Sequence, residues 1–146
     1  MTRFGAVLGL GLALLSGPAR AQTWQVFDMA TAGFPSDNIT DIVQDTEGTI
    51  WAATSWGLCR YDGTDWTIYQ SGTSGLPDNV IRALAIDSLD RVWIGTQLHG
   101  ISVFDGVSWE MIDTDNSPLP DNEINSLAID HLGWAWIGTY LGLVCY

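Results

Sequence analysis

The sequence predicts an all-β protein made of β-propeller blades, in which each blade is a four-stranded antiparallel meander. Three observations support this fold class. A pattern of tryptophan, proline and aspartate recurs about every 42 residues. Within each copy, short β-branched and apolar runs are separated by turn residues, which is the pattern of strands. Helical periodicity is not seen, so a helical repeat of similar length is disfavoured.

Tryptophan, proline and aspartate keep one register through three copies. The first tryptophan precedes a proline by eleven residues, the proline precedes an aspartate by ten, and the aspartate precedes a second tryptophan by six. In chain order within each type, these residues are Trp24, Trp66 and Trp109; Pro35, Pro77 and Pro120; Asp45, Asp87 and Asp130; and Trp51, Trp93 and Trp136. Because a residue found in every copy serves what every blade shares, we interpret the six tryptophans as packing residues and the aspartates as turn-capping acceptors.

Each copy is predicted to contribute four strands to a blade. In the first complete copy the strands span residues 39–43, 50–54, 58–61 and 66–69. The predicted units are blades at residues 39–69 and 81–112, an incomplete blade at residues 124–146, and a lone fourth-type strand at residues 24–27. Asp-Gly pairs at residues 62–63 and 105–106 supply the positive φ of a tight turn between the third and fourth strands.

Twelve such strands amount to three blades if the lone N-terminal strand closes the last blade. Propellers typically need about 4–8 blades to close around a central channel. The chain is therefore predicted to be a partial or truncated propeller. Truncation of a longer gene product is the favoured explanation, because Tyr146 falls within a blade. The alternative is assembly of copies, for example two chains that give six blades.

Residues 1–21 have the features of a secretory signal peptide. Arg3 precedes an apolar run at residues 4–15, a Ser-Gly-Pro sequence interrupts it, and Ala19-Arg20-Ala21 is a small-x-small cleavage site. The alternative is a membrane anchor, which is disfavoured because a span needs about 20 apolar residues. We therefore expect export to the periplasm or the extracellular space, leaving residues 22–146 as the propeller repeats.

The charge balance limits the class of partner. The chain has 17 acidic and 5 basic residues, a formal net charge of −12, and no lysine. This charge disfavours nucleic acid and anionic lipid as partners, since both would be repelled. Eight tryptophans with only 15% charged residues also disfavour a disordered chain.

The amino-acid sequence of the repeat resembles that of a known family. The segments GLPDN at residues 75–79, LAID at 84–87, VWIGT at 92–96 and GISVFD at 100–105 resemble the two-component regulator propeller repeat. The third copy is equally close, and the first is looser, with Phe34 and Ala52-Ala53 departing from the pattern. In that family the repeats usually form extracytoplasmic sensor propellers in front of a membrane-bound histidine kinase. The resemblance implies a binding or sensing module coupled to signalling.

Residues that differ between copies are the candidate ligand-binding residues. Loops after the second and fourth strands lie on one face of a meander, and there the copies carry Trp56, His99 and Tyr140, flanked by Asn79 and Asn122. Aromatic faces beside amides suit carbohydrate rings or another small extracellular ligand, through stacking and hydrogen bonds. The alternative is ordinary loop variation.

Catalytic signatures are weak, so we predict a noncatalytic protein without a cofactor or a metal site. His99 and His131 are the only histidines, and they fall in different classes of loop. A shared zinc site or histidine-based nucleophile is therefore disfavoured. Two alternatives stay open: a propeller lyase or hydrolase, for which only His99 is suitably placed, and a structural fragment of a longer sensor protein.

Overall fold

The computed structural model describes residues 23–146, and this part of the chain contains eleven strands and no helix. The strands are β1 (Ile39–Gln44), β2 (Ile50–Thr54), β3 (Gly57–Tyr61), β4 (Trp66–Tyr69), β5 (Ile81–Ile86), β6 (Val92–Thr96), β7 (Ile101–Phe104), β8 (Trp109–Ile112), β9 (Ile124–Ile129), β10 (Ala135–Thr139) and β11 (Gly142–Cys145). The predicted all-β fold class is confirmed. The predicted signal peptide lies outside the described residues.

The strands form three antiparallel sheets that follow the chain. Their orders are β1-β2-β3-β4, β5-β6-β7-β8 and β9-β10-β11, so each sheet is a meander. We call these sheets blades 1, 2 and 3. The innermost strands β1, β5 and β9 lie next to one another, β5 contacting both of the others. This arrangement is a partial propeller of three blades.

The prediction of a strand at residues 24–27 is wrong for the structure. These residues form no strand, and Trp24 is 100% exposed rather than packed. The physical reason is the lack of a pairing edge within reach: β3 and β7 are already paired with β4 and β8, and the free edge of β11 belongs to blade 3, whereas Phe27 packs on blade 1. Blade 3 correspondingly has three strands.

Each blade is closed at one end by an aspartate that caps the turn between its first and second strands. Asp45, Asp87 and Asp130 accept a hydrogen bond from the indole N–H of the tryptophan six residues later, at 3.1, 3.0 and 3.0 Å. The same carboxylates accept backbone N–H groups two and four residues onward. The predicted turn-capping role is confirmed.

The core has three clusters, and the two larger ones are the joints between neighbouring blades. In the first joint the Trp51 ring, only 4% exposed, packs between blades 1 and 2 and meets Phe104 edge-on at 6.0 Å. Trp93 occupies the equivalent place between blades 2 and 3 and is equally buried. Trp136, by contrast, is 41% exposed, because no further blade covers its face of blade 3. Within a single chain, Trp136 therefore does not have the packing role that was predicted for it.

Two tryptophans of the fourth strands close the outer edge of blades 1 and 2. Trp66 stacks on Tyr61 at a centroid distance of 4.8 Å, and Trp109 stacks on Phe104 at 4.3 Å. The turn beneath each pair contains Gly63 or Gly106, whose φ values of 101° and 95° require glycine or a residue that tolerates the left-handed region. The predicted Asp-Gly turns are thus confirmed.

Gly95 sets the distance between blades 2 and 3. A Cβ atom at this position would lie 2.5 Å from Cγ2 of Ile124, a fully buried residue of blade 3. We predict that Gly95→Ala lowers the free energy of unfolding by about 1–3 kcal/mol through overpacking, measured by denaturant unfolding.

A second substitution, at Ile124, tests whether contact with this residue causes the loss of stability. Ile124→Ala removes the atom that Gly95→Ala would strike, so the cost of Gly95→Ala should shrink in that background. Strictly additive costs of the two substitutions would contradict this account of the joint.

Candidate functional site

One end of the three innermost strands brings together the loops that differ between copies. The turn after the second strand is tied to the connection that enters each blade, through backbone bonds from Ser55 to Asn38, Gln97 to Val80 and Tyr140 to Glu123. Each copy therefore has these two loops at the same end of its blade. We call this face the loop end and the opposite, aspartate-capped end the turn end.

A β-bulge interrupts each innermost strand at the loop end. The pairing skips Thr40 between β1 and β2, Arg82 between β5 and β6, and Asn125 between β9 and β10. A bulge leaves its extra residue outside the ladder and redirects the side chain, which is why bulges often occur beside binding sites. The three bulged residues are equivalent in the repeat and chemically different.

The bulged residues line one cavity at the loop end. Its volume is about 360 Å³, and the residues around it are mostly polar. The lining comprises Asn38, Thr40, Ser55, Val80, Ile81, Arg82, Gln97 and Asn125. The cavity therefore offers hydroxyl and amide groups and one guanidinium to a ligand.

Arg82 is the cationic group of this cavity. Its guanidinium lies 3.5 Å from the carboxylate of Glu123, and both side chains are somewhat more than one third exposed. A pair this exposed contributes little stability. Arg82 can therefore turn from Glu123 towards a ligand at a small cost in free energy. Thr40, in contrast, is held in place by a 2.8 Å hydrogen bond from its hydroxyl to the Ile81 carbonyl.

The predicted residues Trp56, His99 and Tyr140 are exposed and do not line the cavity. Trp56 and His99 lie on the same turns as Ser55 and Gln97, which do line it, and Tyr140 lies on the equivalent turn of blade 3. The His99 Nδ1 atom lies 3.4 Å from Oδ2 of Asp78. We call these three exposed side chains the rim; they lie on turns of the loop end and outside the cavity lining.

Asn79 and Asn122 have a structural task in the connections. The Asn79 amide oxygen accepts the N–H of Ser71 at 2.7 Å, and the Asn122 amide oxygen accepts the N–H of Thr114 at 2.9 Å. Asp37 makes the equivalent bond to Met29 in the first copy. Because the bond recurs in all three copies, these oxygens serve the structure of the connection.

Sequence reasoning missed the bulged residues and Gln97 of the cavity. A signal was present, because Thr40, Arg82 and Asn125 occupy one position of the repeat, are all polar, and each follow an isoleucine. Their use could not be recognised from the sequence, because a bulge is a property of the pairing register and leaves no fixed motif.

The turn end contains a second cavity, of about 510 Å³, lined partly by the three capping aspartates. Burial would raise the pKa of Asp87, but its bonds from the Trp93 indole and from the Arg91 and Leu89 N–H groups outweigh burial and lower that pKa. The Trp136 bond is the largest influence lowering the pKa of Asp130. These carboxylates are therefore committed to turn structure.

Neither end gathers an evident metal or nucleophile site. In residues 23–146, no three histidine, cysteine or carboxylate side chains converge as metal ligands. His131 belongs to the turn end, opposite His99. Burial raises the pKa of the Cys59 thiol to about 12, so this cysteine is a packing residue of blade 1.

The sequence model of the two-component regulator propeller matches residues 33–56, 75–97 and 118–141. Each match runs from the connection before an innermost strand to the turn after the second strand, the region that builds the loop end. The chain therefore belongs to the two-component regulator propeller family. No curated protein matches the chain.

Solved structures with a similar fold include an extracellular domain and a surface component of bacteria. The extracellular domain of a putative hybrid two component system from B. thetaiotaomicron is 28% identical, with a TM-score of 0.71 over 82% of this chain. PorZ, a surface component of the type-IX secretion system of Porphyromonas gingivalis, is 22% identical, with a TM-score of 0.62 over 74% of this chain. This chain spans only 16% and 17% of those two proteins.

Similarity also extends to an enzyme. Virginiamycin B lyase from Staphylococcus aureus is 15% identical, with a TM-score of 0.59 over 80% of this chain and 43% of its own. At this identity the similarity shows the fold alone. Across the part of the chain that the structure describes, no helix could span a membrane.

The capping aspartates predict acid sensitivity. The pKa values of Asp45, Asp87 and Asp130 lie below the ordinary value of 3.8 in the folded protein. The stability from their charged form is fully present above the unfolded-state pKa and is lost as the pH falls through the folded-state values. We expect a level melting temperature near neutral pH and a decrease below about pH 4.

Asp87→Asn isolates one of these groups. It places an amide N–H against a donor and should cost about 1–3 kcal/mol at neutral pH, with a smaller loss on acidification than in the natural protein. Asp115→Asn, at an exposed loop position, is the control and should change neither. An unchanged acid response in Asp87→Asn would refute the assignment.

Proposed function

We propose that the chain is a noncatalytic binding module of an extracytoplasmic sensor, which recognises a small extracellular ligand at the loop end. One observation carries the proposal: three bulges at equivalent positions direct the chemically different residues Thr40, Arg82 and Asn125 towards one cavity. Residues that served only the structure of the blade would be of the same type in every copy, as the capping aspartates and the second-strand tryptophans are.

The chemistry of the loop end favours a glycan fragment as the ligand. The hydroxyl, amide and guanidinium groups of Thr40, Asn125 and Arg82 match the donors and acceptors of sugar hydroxyls. The exposed rings of Trp56 and Tyr140 can stack on the C–H face of a sugar that extends beyond the cavity. The formal net charge of −12 disfavours a polyanionic ligand.

Family membership supports a place in signalling outside the cytoplasm. One structural relative is the extracellular domain of a putative hybrid two component system. The predicted signal peptide at residues 1–21 agrees with such a location. We therefore propose that the ligand-bound propeller acts by docking to, or within, a larger signalling protein.

Binding to a panel of oligosaccharides, neutral and uronate-containing, tests the proposal by calorimetry. If the natural protein binds a member of the panel, Arg82→Met and Asn125→Ala should each weaken binding by about tenfold or more, since each removes a polar contact worth about 1.4 kcal/mol. Trp56→Ala and Tyr140→Ala should weaken binding less, because the rim is outside the cavity.

Arg60→Met is the matched control, because Arg60 lies on β3 over the Trp51 ring rather than in the loop-end cavity. It should leave affinity unchanged. If the Arg82 and Asn125 variants bind with the same affinity as the natural protein, the cavity is not part of the binding site. If the natural protein binds none of the sugars, a glycan ligand is rejected.

A further inference from the structure

Blade 3 has an exposed edge strand and an exposed face that carries its second-strand tryptophan, and the equivalent edge and face are covered in blades 1 and 2. The third strands of blades 1 and 2 are covered by a fourth strand, whereas β11 is an edge strand whose Leu143 is exposed. Trp136 is 41% exposed although its counterparts Trp51 and Trp93 are 4% exposed. Blade 3 therefore lacks the partners that cover the same surface twice elsewhere in the molecule.

Blade 1 has the complementary surface. An apolar groove of about 330 Å³ lies on its outward face, and Ile42 in this groove is 60% exposed whereas its blade 2 counterpart Leu84 is 3% exposed. The groove is lined by Phe27, Phe34, Ile39, Ile42, Ile50, Ala52, Tyr61 and Trp66. The residues one repeat later are Tyr69, Leu76, Ile81, Leu84, Val92, Ile94, Phe104 and Trp109, and all of them pack around Trp51 in the first joint.

The groove thus repeats the socket that receives Trp51, position by position. In the first joint, that socket is filled by the second-strand tryptophan of the preceding blade. Trp136 is the second-strand tryptophan without a socket, and the blade 1 groove is the socket without a tryptophan.

Residues 24–27 lie beside blade 1, in the position that the fourth strand of a blade preceding blade 1 would occupy. In the first joint, Tyr69 of β4 lies 5.5 Å from Phe104 and 5.6 Å from Trp109. Phe27 lies 5.7 Å from Tyr61 and 5.3 Å from Trp66, which are the equivalent rings of blade 1. Phe27 therefore anchors its segment in the position of a fourth strand, although the segment has no sheet to join.

We propose that two copies of this chain associate head to tail, with blade 3 of each copy docking on blade 1 of the other. Residues 24–27 of one copy then pair with β11 of its partner and complete blade 3, while Trp136 enters the blade 1 groove. Both joints of such a pair repeat the two joints already present within one copy. Two copies of three blades make six, which is within the usual range of about 4–8 for a closed propeller.

The repeat also gives the register of the shared blade. Tyr61 pairs with Trp66 and Arg60 with Thr67 between β3 and β4, and β7 and β8 pair in the same way. By this register Tyr146 lies opposite the partner copy's Trp24, and Cys145 lies opposite its Gln25. The first pair would repeat the stacked rings of Tyr61–Trp66 and Phe104–Trp109.

Cysteine cross-linking tests this register. Antiparallel partners have Cα atoms about 4.5–5.5 Å apart, a distance that a disulfide spans. We expect Gln25→Cys to form a covalent dimer with the natural Cys145 under mild oxidation, seen on a non-reducing gel and reversed by thiol. The dimer should be absent from the natural protein and from Gln25→Cys combined with Cys145→Ser.

Val26→Cys is the register control, because its side chain would point to the other face of the strand and should give no dimer. A covalent dimer that persists without Cys145, a link within one chain, or no link at all would each overturn the proposal.

The mass in solution tests the joint without cysteines. Light scattering should give about twice the mass of one chain for the natural protein, the ratio expected of a closed pair. Ile42→Asp should reduce it to that of one chain by placing a charge in the groove. Val107→Asp, at an 87% exposed apolar position in the turn between β7 and β8, should leave the pair intact.

A monomeric natural protein, or an open-ended series of masses, would contradict two-copy closure. Because Ile42 is exposed within one copy, its substitution should leave the melting transition of the separated chains cooperative. Loss of the dimer together with loss of folding in Ile42→Asp would also count against the proposal, since it would mean that Ile42 supports the blade itself.

Discussion

The hydrogen bond from an indole N–H to a turn aspartate organises each blade. It joins the turn between the first two strands to the ring that fills the space beside the next blade, so that one carboxylate fixes both local and tertiary geometry. Around the buried Trp51 and Trp93 rings the apolar side chains of two blades interdigitate. Where the next blade is lacking, the bond to Trp136 persists but the ring is exposed. The carboxylate therefore orients the ring, and the neighbouring blade buries it.

Repetition separates structural residues from functional ones in this protein. Capping aspartates, joint tryptophans and the bond from Asp37, Asn79 and Asn122 into the connections recur because every blade needs them. The bulge also recurs, but the residue on it changes from copy to copy. A backbone irregularity that recurs in each blade thus presents different side chains, which is how one scaffold can serve different ligands. The proposed ligand binding and the proposed self-association use different surfaces: the first uses the loop end, and the second uses the outward faces of blades 1 and 3.

Much of the fold could be predicted from the sequence because its information is local and repeated three times. The Asp-Gly turns, the strands and the capping role of Asp87 each follow from a few neighbouring residues. The strand expected at residues 24–27 did not form, because a strand depends on a pairing edge that sequence pattern alone does not supply. Among the candidate site residues, the loop face was predictable from meander topology. The division of labour between Asn79, which holds a connection, and Arg82, which lines the cavity, was not.

The sequence by itself determined the blade: its length, its strand order, its turns and the family to which it belongs. These properties depend on interactions within one repeat and are therefore written in each copy. Only the tertiary structure decided which equivalent positions meet, because Thr40, Arg82 and Asn125 lie in separate repeats and share a cavity only after the innermost strands assemble. It likewise showed that Phe27 occupies the place of a fourth strand beside Tyr61 and Trp66. Such contacts join residues distant in the chain, and the packing of one blade against the next creates them.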